Sequence, residues 1–558
     1  MTITENNNHD YQLWLGLSII AAMLFSLSGL VPALRSQYTI QDDARQHIFW
    51  MQQFSNGELF QGDLITDYFQ SVSPLGFKAL YRLVSILGID VFWFNKISPL
   101  LIGVATTIYC FAVSYAIFPI AIAGFFTSLL LNQNLWLLDD LSSGTPRAFI
   151  YLLLLAFIYY LLKNQTLGCI IILIFQGLFY PPAVLISGFI LGLRIVFTSS
   201  NRKLEFWGLV TTSLILVGYA AQTSKFAPVI TAQIAKSLPE FTSWGRSAFF
   251  DDSWLQFWLI SRRSGFFPIE WQYSLMCIYG LTLWWLLSYP QRFPLVKKTR
   301  PEISIIYQLF FASSCLYFLA HLLLFRLHLP GRYTHHSIRI CLALLDGITL
   351  TIISNSLTNF LQKFISSQSL TNKLFRPILL GLLLTALLYP TYAAQSYPER
   401  LGYVTGEATE LYEFLRTQPS ATLITTLSKE ADLIPSLTGQ SVLIAAEYSI
   451  PYHQGYYQQL RQKIVDTIAA QYSSDPQVIK QFIKRYQPDL FLLDHDTFDS
   501  NYLQDNLWLQ QFNPVTEKAT DQLKNKSAIF LVQNSDRCIT WQDTQHSLID
   551  AKCLLKID

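Results

Sequence analysis

Long apolar segments recur through the first 395 residues and leave this part of the chain few ways to fold. The hydrocarbon core of a bilayer is about 30 Å thick, and a helix of about 20 apolar residues crosses it. Because backbone polar groups inside a bilayer must be bonded internally, we expect each segment to be a helix. The sequence therefore predicts a polytopic α-helical membrane protein with about 11 spans, at about 13–34, 97–117, 119–138, 147–162, 166–180, 183–197, 206–223, 270–289, 303–327, 338–356 and 377–395.

The composition agrees with that prediction and limits the function. The chain has 558 residues, of which 51% are hydrophobic and 14% are charged, and its mean hydropathy is +0.32. These values are far from those of an average soluble protein. The formal net charge is only +2, and no long basic run occurs that would neutralise a phosphate backbone. We expect a membrane protein without a nucleic-acid partner.

The lysines and arginines between the apolar segments predict the orientation of the chain, because positive charges gather in short cytoplasmic loops. The N-terminus lacks the basic region and the cleavage site of a signal peptide, so segment 13–34 is expected to remain as a span. Segment 166–197 forms either two spans or one re-entrant hairpin, and both preserve the orientation downstream. The cytoplasmic positive residues are then Lys163, Arg194, Arg202, Lys203, Arg292, Lys297, Lys298, Arg300, Lys363, Lys373 and Arg376.

This orientation places the polar clusters on the outer face of the cell inner (plasma) membrane. The N-terminus is then cytoplasmic, and residues 1–395 form the multi-spanning domain. Residues 396–558 follow as an extracytoplasmic domain on the outer side. The outer-face loops of the membrane domain are expected at 35–96, 139–146, 224–269 and 326–339.

Two adjacent carboxylates open the first outer loop, within Gln41-Asp42-Asp43-Ala44-Arg45-Gln46-His47. A positioned carboxylate can take the proton of an attacking group while its neighbour holds a charge. Asp42 and Asp43 are therefore the candidate catalytic residues. No cofactor is certain, but these two are also the candidate ligands of a divalent metal. One of them is expected to cap the helix that starts at Ala44, because a capping aspartate satisfies free amides.

The outer loops also contain many arginines, which have two interpretations. They either lie at the membrane interface and pair with nearby aspartates, or they converge on an anion, since a guanidinium group matches phosphate with forked donors. Segment 327–339 favours phosphate, because it concentrates arginines, histidines and a tyrosine in a turn between two spans. The candidate phosphate-binding residues are Arg332, Arg147, Tyr333, His335, His336, Arg339 and Arg45, and the candidate substrate-loop residues are His47, Arg262 and Arg263.

From about residue 396 the chain becomes polar and predicts a small α/β domain. Strands are expected at 421–426, 441–445, 489–493 and 527–532, and helices at 457–470 and 475–486. No glycine-rich phosphate loop occurs, so a nucleotide site is not expected there. Cys538 and Cys553 lie in this part and would form a disulfide bond in an oxidising compartment.

These features together resemble the GT-C superfamily of integral-membrane glycosyltransferases, and within it the branch of aminoarabinose transferases and protein O-mannosyltransferases. The resemblance covers about residues 11–395 and rests more on topology than on short motifs. It uses the acidic pair after the first span and the late Pro330-Gly331-Arg332-Tyr333 element. The strings Asp-Asp-Ala-Arg-Gln-His, Pro-Arg-Ala-Phe and Arg-Tyr-Thr-x-His-Ser are similar to elements of uncharacterised bacterial multi-spanning proteins.

The resemblance implies inverting transfer of a sugar from a donor linked to polyprenyl phosphate or diphosphate. The acceptor would be a glycan, a lipid or a protein on the outer side of the membrane. Asp42 or Asp43 would be the general base, and Arg332 with Arg147 would hold the donor phosphate. The sequence departs from the family pattern because no second acidic motif is clear; Asp139-Asp140 and Asp251-Asp252 are the candidates, and metal dependence is left open.

Two other functions fit parts of the sequence. A transporter or flippase of an anionic lipid or lipid-linked glycan would use polar residues within spans, and Gln176 and Asp346 lie in such positions. A non-catalytic envelope assembly protein would use the C-terminal domain to bind a partner. A transferase differs from both because Asp42 or Asp43 must approach Arg332 across an outward cleft.

Overall fold

The architecture was analysed in a computed structural model of the full chain. The structure describes residues 8–197, 201–222, 224–268, 280–362, 381, 385, 389 and 398–557. The span expected at about 377–395 and the first half of the span expected at 270–289 therefore lie outside the described residues, apart from single positions.

Long apolar helices dominate the first 362 residues. Within the described residues, five helices are long and apolar enough to cross a membrane, namely Asn8–Leu34, Val91–Ile117, Arg202–Ala221, Pro301–Leu322 and Gly331–Phe360. Three shorter apolar helices, Pro146–Leu162, Thr166–Phe179 and Pro182–Phe197, accompany them. The chain is a helical membrane protein with a C-terminal sheet domain. The number of about 11 spans stays a prediction.

Small residues let these helices approach closely. The helix Gly331–Gln362 packs against Ala121–Leu135, and a Cβ atom added at Gly347 would lie 2.1 Å from the Thr127 hydroxyl oxygen. In the same way, Gly124 lies against the ring of Phe111. Close approach of this kind replaces the hydrophobic driving force that helices lack when lipid surrounds them.

Short helices lie between the long apolar helices, and several of them are in segments that the sequence predicted to be outer-face loops. Between the first two long helices lie Asp42–His47, Phe49–Phe54, Leu64–Val72 and Leu75–Ile86. The other short elements are Asp139–Ser142, Pro146–Phe149, Ala232–Lys236, Pro239–Phe241, Gln256–Ile260, Leu283–Leu287, Pro294–Lys298 and Pro301–Ile303.

The segment 326–339 differs most from its prediction. It was expected to be a turn, but the helix that follows begins at Gly331 and runs without interruption to Gln362. Polar residues at its start concealed the helix from a search for apolar runs. Pro330 precedes the helix, which agrees with the preference of proline for helix starts.

In the part of the chain that the structure describes, seven strands form two sheets. Strands β1 (Thr39–Gln41) and β2 (Tyr403–Thr405) pair in antiparallel fashion and join the start of the segment after the first long helix to the beginning of the C-terminal part. The other strands form one sheet in the order β4-β3-β5-β7-β6. Within it, β3 is parallel to β4 and β5, whereas β7 is antiparallel to β5 and β6. The bounds of these strands are Leu423–Thr425 (β3), Ser441–Val442 (β4), Leu490–Asp494 (β5), Ile539–Gln542 (β6) and His546–Asp550 (β7).

Most elements predicted after residue 396 are confirmed. Strands β3, β4 and β5 lie at the expected places, and the expected helices are Gln454–Tyr472 and Pro476–Tyr486. The strand expected at 527–532 is wrong, because this segment forms Lys526–Ala528 and Phe530–Asn534 instead. A buried apolar run of four residues does not distinguish a strand from a helical turn. The remaining helical segments are Pro398–Leu401, Thr409–Arg416, Lys429–Asp432, Ile434–Thr438, Ser500–Gln504, Leu507–Gln510, Val515–Leu523, Ser535–Arg537 and Ala551–Leu555.

A disulfide bond joins Cys538 and Cys553 and encloses the hairpin of β6 and β7. We expect an alkylating reagent to label these two cysteines only after reduction of the denatured protein, because a disulfide sulfur is not alkylated. Peptide mass spectrometry measures this, and Cys341, a buried free cysteine, should be labelled with or without reduction. Labelling of Cys538 before reduction would contradict the bond.

Candidate functional site

The short helix Asp42–His47 carries the acidic pair and is held at its N-terminus by backbone and side-chain bonds. The Gln41 side chain caps it by accepting a bond from the Ala44 N–H, so the cap expected from an aspartate is provided by glutamine. The Asp42 N–H donates to the Gly402 carbonyl at 2.6 Å, directly before β2. Both aspartates therefore lie in the first turn of the helix, where its positive end favours carboxylates.

The two aspartates of this helix contact different arginines. The Asp42 carboxylate contacts Arg45, one turn further along the same helix. The Asp43 carboxylate accepts a bond of 2.6 Å from the Arg147 guanidinium group. The adjacent carboxylates thus point to separate environments, and only Asp43 faces the outer arginines of the membrane part.

Arg147 is the centre of a buried ionic network. Besides Asp43, it contacts Asp139 at 3.1 Å and Asp140 at 3.3 Å, and its side chain is only 8% exposed. Arg262 contacts Asp139 at 2.6 Å from the outside. The acidic pair Asp139-Asp140 therefore joins the site, while the alternative pair Asp251-Asp252 contributes no contact to it among the described side chains.

Behind Arg147 the network continues to the long helix Gly331–Gln362. Arg339 forms an ion pair with Asp140 and donates a bond of 2.7 Å to the Tyr151 hydroxyl group. The Tyr151 hydroxyl donates to Asp140 at 3.0 Å and lies 3.0 Å from Nδ1 of His336. All four side chains are buried, so they hold the helices together.

The long helix presents Arg332, His335, His336 and Arg339 on one face, because their spacing repeats the helical turn. His335 bonds to the Gly265 carbonyl at 2.9 Å, so its ring is occupied by the outer segment. Tyr333 is buried on another side of the helix, and its hydroxyl donates to the Leu327 carbonyl at 2.7 Å.

Arg332 differs from the other arginines of this group. Among the residues that the structure describes, its guanidinium group has neither a hydrogen bond nor an ion pair, although it is only partly exposed. It is close enough to Asp43 and Asp140 to lower the pKa of both carboxyls. The nearby Arg263 donates to the Ala248 carbonyl at 3.0 Å instead of to a carboxylate.

The charges of this group fix the protonation of its members. Burial raises the pKa of the Asp43 carboxyl, but Arg147, His47, Arg262 and Arg332 together lower it below its ordinary value. Asp43 is therefore ionised at neutral pH. Burial lowers the pKa of His47, as do Arg147 and Arg332, although Asp43 opposes them, so the imidazole is neutral. The side chain of Asp43 keeps 27% of its surface accessible. We call the group formed by Asp43, Asp139, Asp140, Arg147, Arg262 and Arg332 the recess.

Arg45 points away from this recess and toward the C-terminal domain. Its guanidinium group contacts Glu447 at 2.9 Å as well as Asp42. Arg45, Tyr333, His335, His336 and Arg339, which the sequence grouped with the phosphate ligands, are thus bonded to other protein groups. Arg332, Arg147 and Arg262 remain on the same side as Asp43.

A search of the described residues finds no group of three or more His, Cys, Asp or Glu side chains able to hold a metal ion. The arrangement of Asp42 and Asp43 gives the reason, because each carboxylate is bonded to an arginine and the two diverge. The cations nearest to Asp43 in this part of the chain are guanidinium groups.

Three residues of this region were missed from the sequence. Tyr151 lies four positions after Arg147 on the same helical face, and this spacing could have indicated it. Tyr180 lies at the Pro181-Pro182 break, packs against His336 with ring centroids 6.2 Å apart, and has a buried hydroxyl group without a described partner. Glu447 lies in the C-terminal domain, and no local pattern links it to Arg45.

Several solved structures have a fold similar to that of this chain. The fold is similar to that of solved oligosaccharyltransferase structures. The apo oligosaccharyltransferase of Archaeoglobus fulgidus matches with a TM-score of 0.55 and 12% identity, over 90% of this chain and 72% of that chain. The A. fulgidus oligosaccharyltransferase AglB in complex with an inhibitory peptide and a dolichol-phosphate matches with a TM-score of 0.54 and 12% identity, over 91% and 72%.

A third structure, ArnT from Cupriavidus metallidurans bound to undecaprenyl phosphate, has a TM-score of 0.46 and 12% identity, over 96% of this chain and 98% of that chain. The sequence matches no protein-family model, and no curated protein matches it. The likeness to the oligosaccharyltransferase structures establishes the fold, and it confirms the resemblance to GT-C proteins at that level.

The buried network predicts a large effect of Asp140 on stability. Asp140→Asn should lower the free energy of unfolding by about 3–5 kcal/mol, because it removes the carboxylate that pairs Arg339 and Arg147 in the interior. Thermal unfolding of the purified protein in detergent measures this loss. Asp67→Asn, which removes an exposed surface pair with Lys225, is the matched control and should change stability by less than about 1 kcal/mol.

The same variant should change the pH dependence of stability. Burial alone would raise the pKa of Asp140, but Arg147, Arg339, His336 and Arg332 lower it well below its usual range. Its contribution is then complete above the ordinary carboxyl pKa of about 4 and is lost as pH falls toward the lower native value. If the stability of Asp140→Asn fell as steeply with decreasing pH as the stability of the wild type, this assignment would be wrong.

Proposed function

We propose that the chain is a membrane glycosyltransferase that moves a sugar from a polyprenyl-phosphate-linked donor to an acceptor on the outer face. The observation that carries the proposal is Arg332. This guanidinium group lacks a hydrogen bond or ion pair among the described residues and lies within electrostatic reach of the ionised Asp43. A cation without a partner beside a base is the arrangement that transfer from a phosphate requires.

The charge balance of the recess supports an anionic ligand. The carboxylates Asp43, Asp139 and Asp140 face the guanidinium groups of Arg147, Arg262, Arg339 and Arg332. These groups carry one more positive than negative charge, and Arg332 is the guanidinium group among them that lacks a hydrogen bond or an ion pair in the described part of the chain. A phosphate would neutralise this charge through forked, charge-assisted hydrogen bonds.

The reaction follows from these positions. The acceptor oxygen attacks the anomeric carbon, and the bond from that carbon to the phosphate oxygen breaks. The phosphate leaves with the electron pair and is stabilised by Arg332 and Arg147, whose charges are fixed before the reaction. The acceptor proton passes to Asp43. Attack opposite to the leaving phosphate in one displacement inverts the anomeric centre.

Asp43 is the better placed of the two aspartates to act as the general base. The surrounding cations lower its pKa, so that it is ionised and can accept a hydrogen bond from an acceptor hydroxyl, and Arg147 fixes its orientation. The Asp42 carboxylate is engaged by Arg45 on the side of the C-terminal domain. We therefore propose that Asp42 stabilises the helix and that Asp43 accepts the proton of the acceptor.

The fold supports a lipid-linked donor. A solved oligosaccharyltransferase with the same fold holds a dolichol-phosphate together with an inhibitory peptide. By analogy, the present chain would admit a polyprenyl phosphate from the bilayer and an acceptor from outside. Fold analogy alone does not define a function, so the charge of Arg332 carries the argument and the fold adds to it.

We also propose the topology that this reaction requires. About 11 spans would place the N-terminus in the cytoplasm and the domain 396–558 outside the inner membrane. The distribution of lysines and arginines supports this orientation. The disulfide between Cys538 and Cys553 agrees with it, because such bonds persist in oxidising compartments.

Mass spectrometry of polyprenyl-linked sugars and envelope glycans in a deletion strain tests the reaction. Loss of the gene should cause a lipid-linked sugar to accumulate and a glycan to lose that sugar, and the wild-type gene should reverse both. A normal glycan with no accumulated lipid-linked sugar would favour the transporter or assembly function instead.

Asp43→Asn should abolish complementation in that strain, because loss of a general base typically lowers the rate by about 10²–10⁴-fold. The ratio of glycan to accumulated lipid-linked sugar measures the effect at equal amounts of protein in the membrane. Asp67→Asn, an exposed carboxylate of the same outer segment, should complement fully. Full complementation by Asp43→Asn would overturn the assignment.

Arg332→Gln should weaken binding of undecaprenyl phosphate to the purified protein by about 10- to 100-fold, as expected for the loss of a charge-assisted hydrogen bond. Titration in detergent, followed by thermal shift, measures the affinity. Arg82→Gln alters an exposed arginine of the same outer face and should bind like the wild type. Equal affinity in both variants would remove Arg332 from the phosphate site.

A further inference from the structure

Glu447 of the C-terminal domain reaches the helix that carries the acidic pair. Its carboxylate contacts Arg45 at 2.9 Å and Arg246 at 3.0 Å, and its side chain is only 7% exposed. Gln46 donates a bond of 3.1 Å to the Glu447 carbonyl and a second bond to its carboxylate. A single residue thus bonds two positions of the helix Asp42–His47.

The helix Asp42–His47 needs such external bonds. It has only six residues, and isolated helices shorter than about 12–15 residues are marginal in water because nucleation is unfavourable. Its N-terminus is fixed by the β1–β2 pairing and the bond to Gly402. Along its length, Asp43 bonds to Arg147, and Arg45 and Gln46 both bond to Glu447 of the C-terminal domain.

Glu447 lies in the segment that follows strand β4, and this position explains how its side chain reaches the helix Asp42–His47. Strands β3 and β4 are parallel, so the segments that follow them leave the same edge of the sheet. Glu447 follows β4 and Asp432 follows β3, and the Asp432 carboxylate accepts the Glu447 N–H at 2.8 Å. Parallel sheets usually bind ligands at this edge. In this protein, the segment that leaves this edge after β4 binds the helix Asp42–His47 of the same chain.

We propose that Glu447 is a positioning residue that fixes the helix Asp42–His47 and thereby orients Asp43 toward Arg147. The C-terminal domain is then part of the transferase site, although none of its residues needs to touch the donor. This inference rests on the proposed function for the role of Asp43, whereas the anchoring itself depends only on the contacts of Glu447.

The charges around Glu447 make both arginines necessary. Burial and the charges of Asp42 and Asp432 raise the pKa of Glu447 more than Arg246 and Arg45 lower it, so that its pKa is about 7. Arg246 also donates to the Ala446 and Glu447 carbonyls at 3.3 Å. Loss of either arginine would therefore favour protonation of the carboxyl and weaken the bond to the other.

Hydrogen exchange of the backbone amides at 42–48 tests the anchoring. Glu447→Gln and Arg45→Gln should each accelerate exchange there by at least about 10-fold, and the double variant should stay within about twofold of the faster single variant, because one interaction is lost in all three. The helix Leu64–Val72 should be unchanged. Unaltered exchange in Glu447→Gln, or multiplied effects in the double variant, would overturn the proposal.

Two further variants keep this test decisive. Glu447→Asp retains the charge and should restore part of the protection of the amides at 42–48 against exchange. This variant also replaces Glu447→Gln in the test if Glu447→Gln does not fold. Glu517→Gln changes an exposed carboxylate of the same domain and should exchange like the wild type. Equal acceleration by Glu447→Asp and Glu447→Gln would indicate that packing, and not the ion pair, holds the helix.

A functional measurement separates positioning from general damage. Glu447→Gln should lower glycan transfer in the complemented deletion strain by at least about 10-fold, yet bind undecaprenyl phosphate within about twofold of the wild type, because it does not contact Arg332. Loss of binding and transfer together would indicate a merely structural role. If the wild type itself neither binds undecaprenyl phosphate nor changes a glycan, the proposed function fails, and hydrogen exchange still decides the anchoring.

Discussion

The site depends on the sharing of Arg147 among three carboxylates. A buried charge costs several kcal/mol unless a partner compensates it, so Asp43, Asp139 and Asp140 must stay where Arg147 reaches them. The ion pairs of Arg147 therefore join the short helices Asp42–His47 and Asp139–Ser142 to the start of Pro146–Leu162. The ion pair of Asp140 with Arg339 adds the long helix Gly331–Gln362. Once these pairs are formed, Arg332 is left without a hydrogen bond or an ion pair among the residues that the structure describes.

The C-terminal sheet supports the same recess from the other side. Its edge binds the helix Asp42–His47 through Glu447, while the membrane part binds it through Arg147. The two aspartates at the start of that helix therefore have different neighbours, because Asp42 lies toward the sheet and Asp43 lies toward the membrane helices. A pair of adjacent carboxylates gains two different environments from this arrangement, and only one of them contains an excess of positive charge.

The sequence predicted part of this site and missed the rest for identifiable reasons. It grouped Asp43, Arg147 and Arg332 as one outer-face site, and the structure brings these residues together. It also placed His335, His336, Tyr333 and Arg339 with the phosphate ligands, because a turn was expected where a helix begins. On that helix their side chains bond to neighbouring segments. Glu447 gave no local signal, because its partner Arg45 is 402 positions away.

The sequence by itself determined that the chain is a helical membrane protein with a polar α/β end, because apolar segments of bilayer length and alternating short elements are local properties. It also identified the charged residues from which a site is built. Only the tertiary structure decided which charges neutralise one another, since ion pairs form between segments that are distant in the chain. For that reason the different partners of the two aspartates, the lack of a partner for Arg332 among the described residues and the contacts of the C-terminal domain could not be read from sequence spacing.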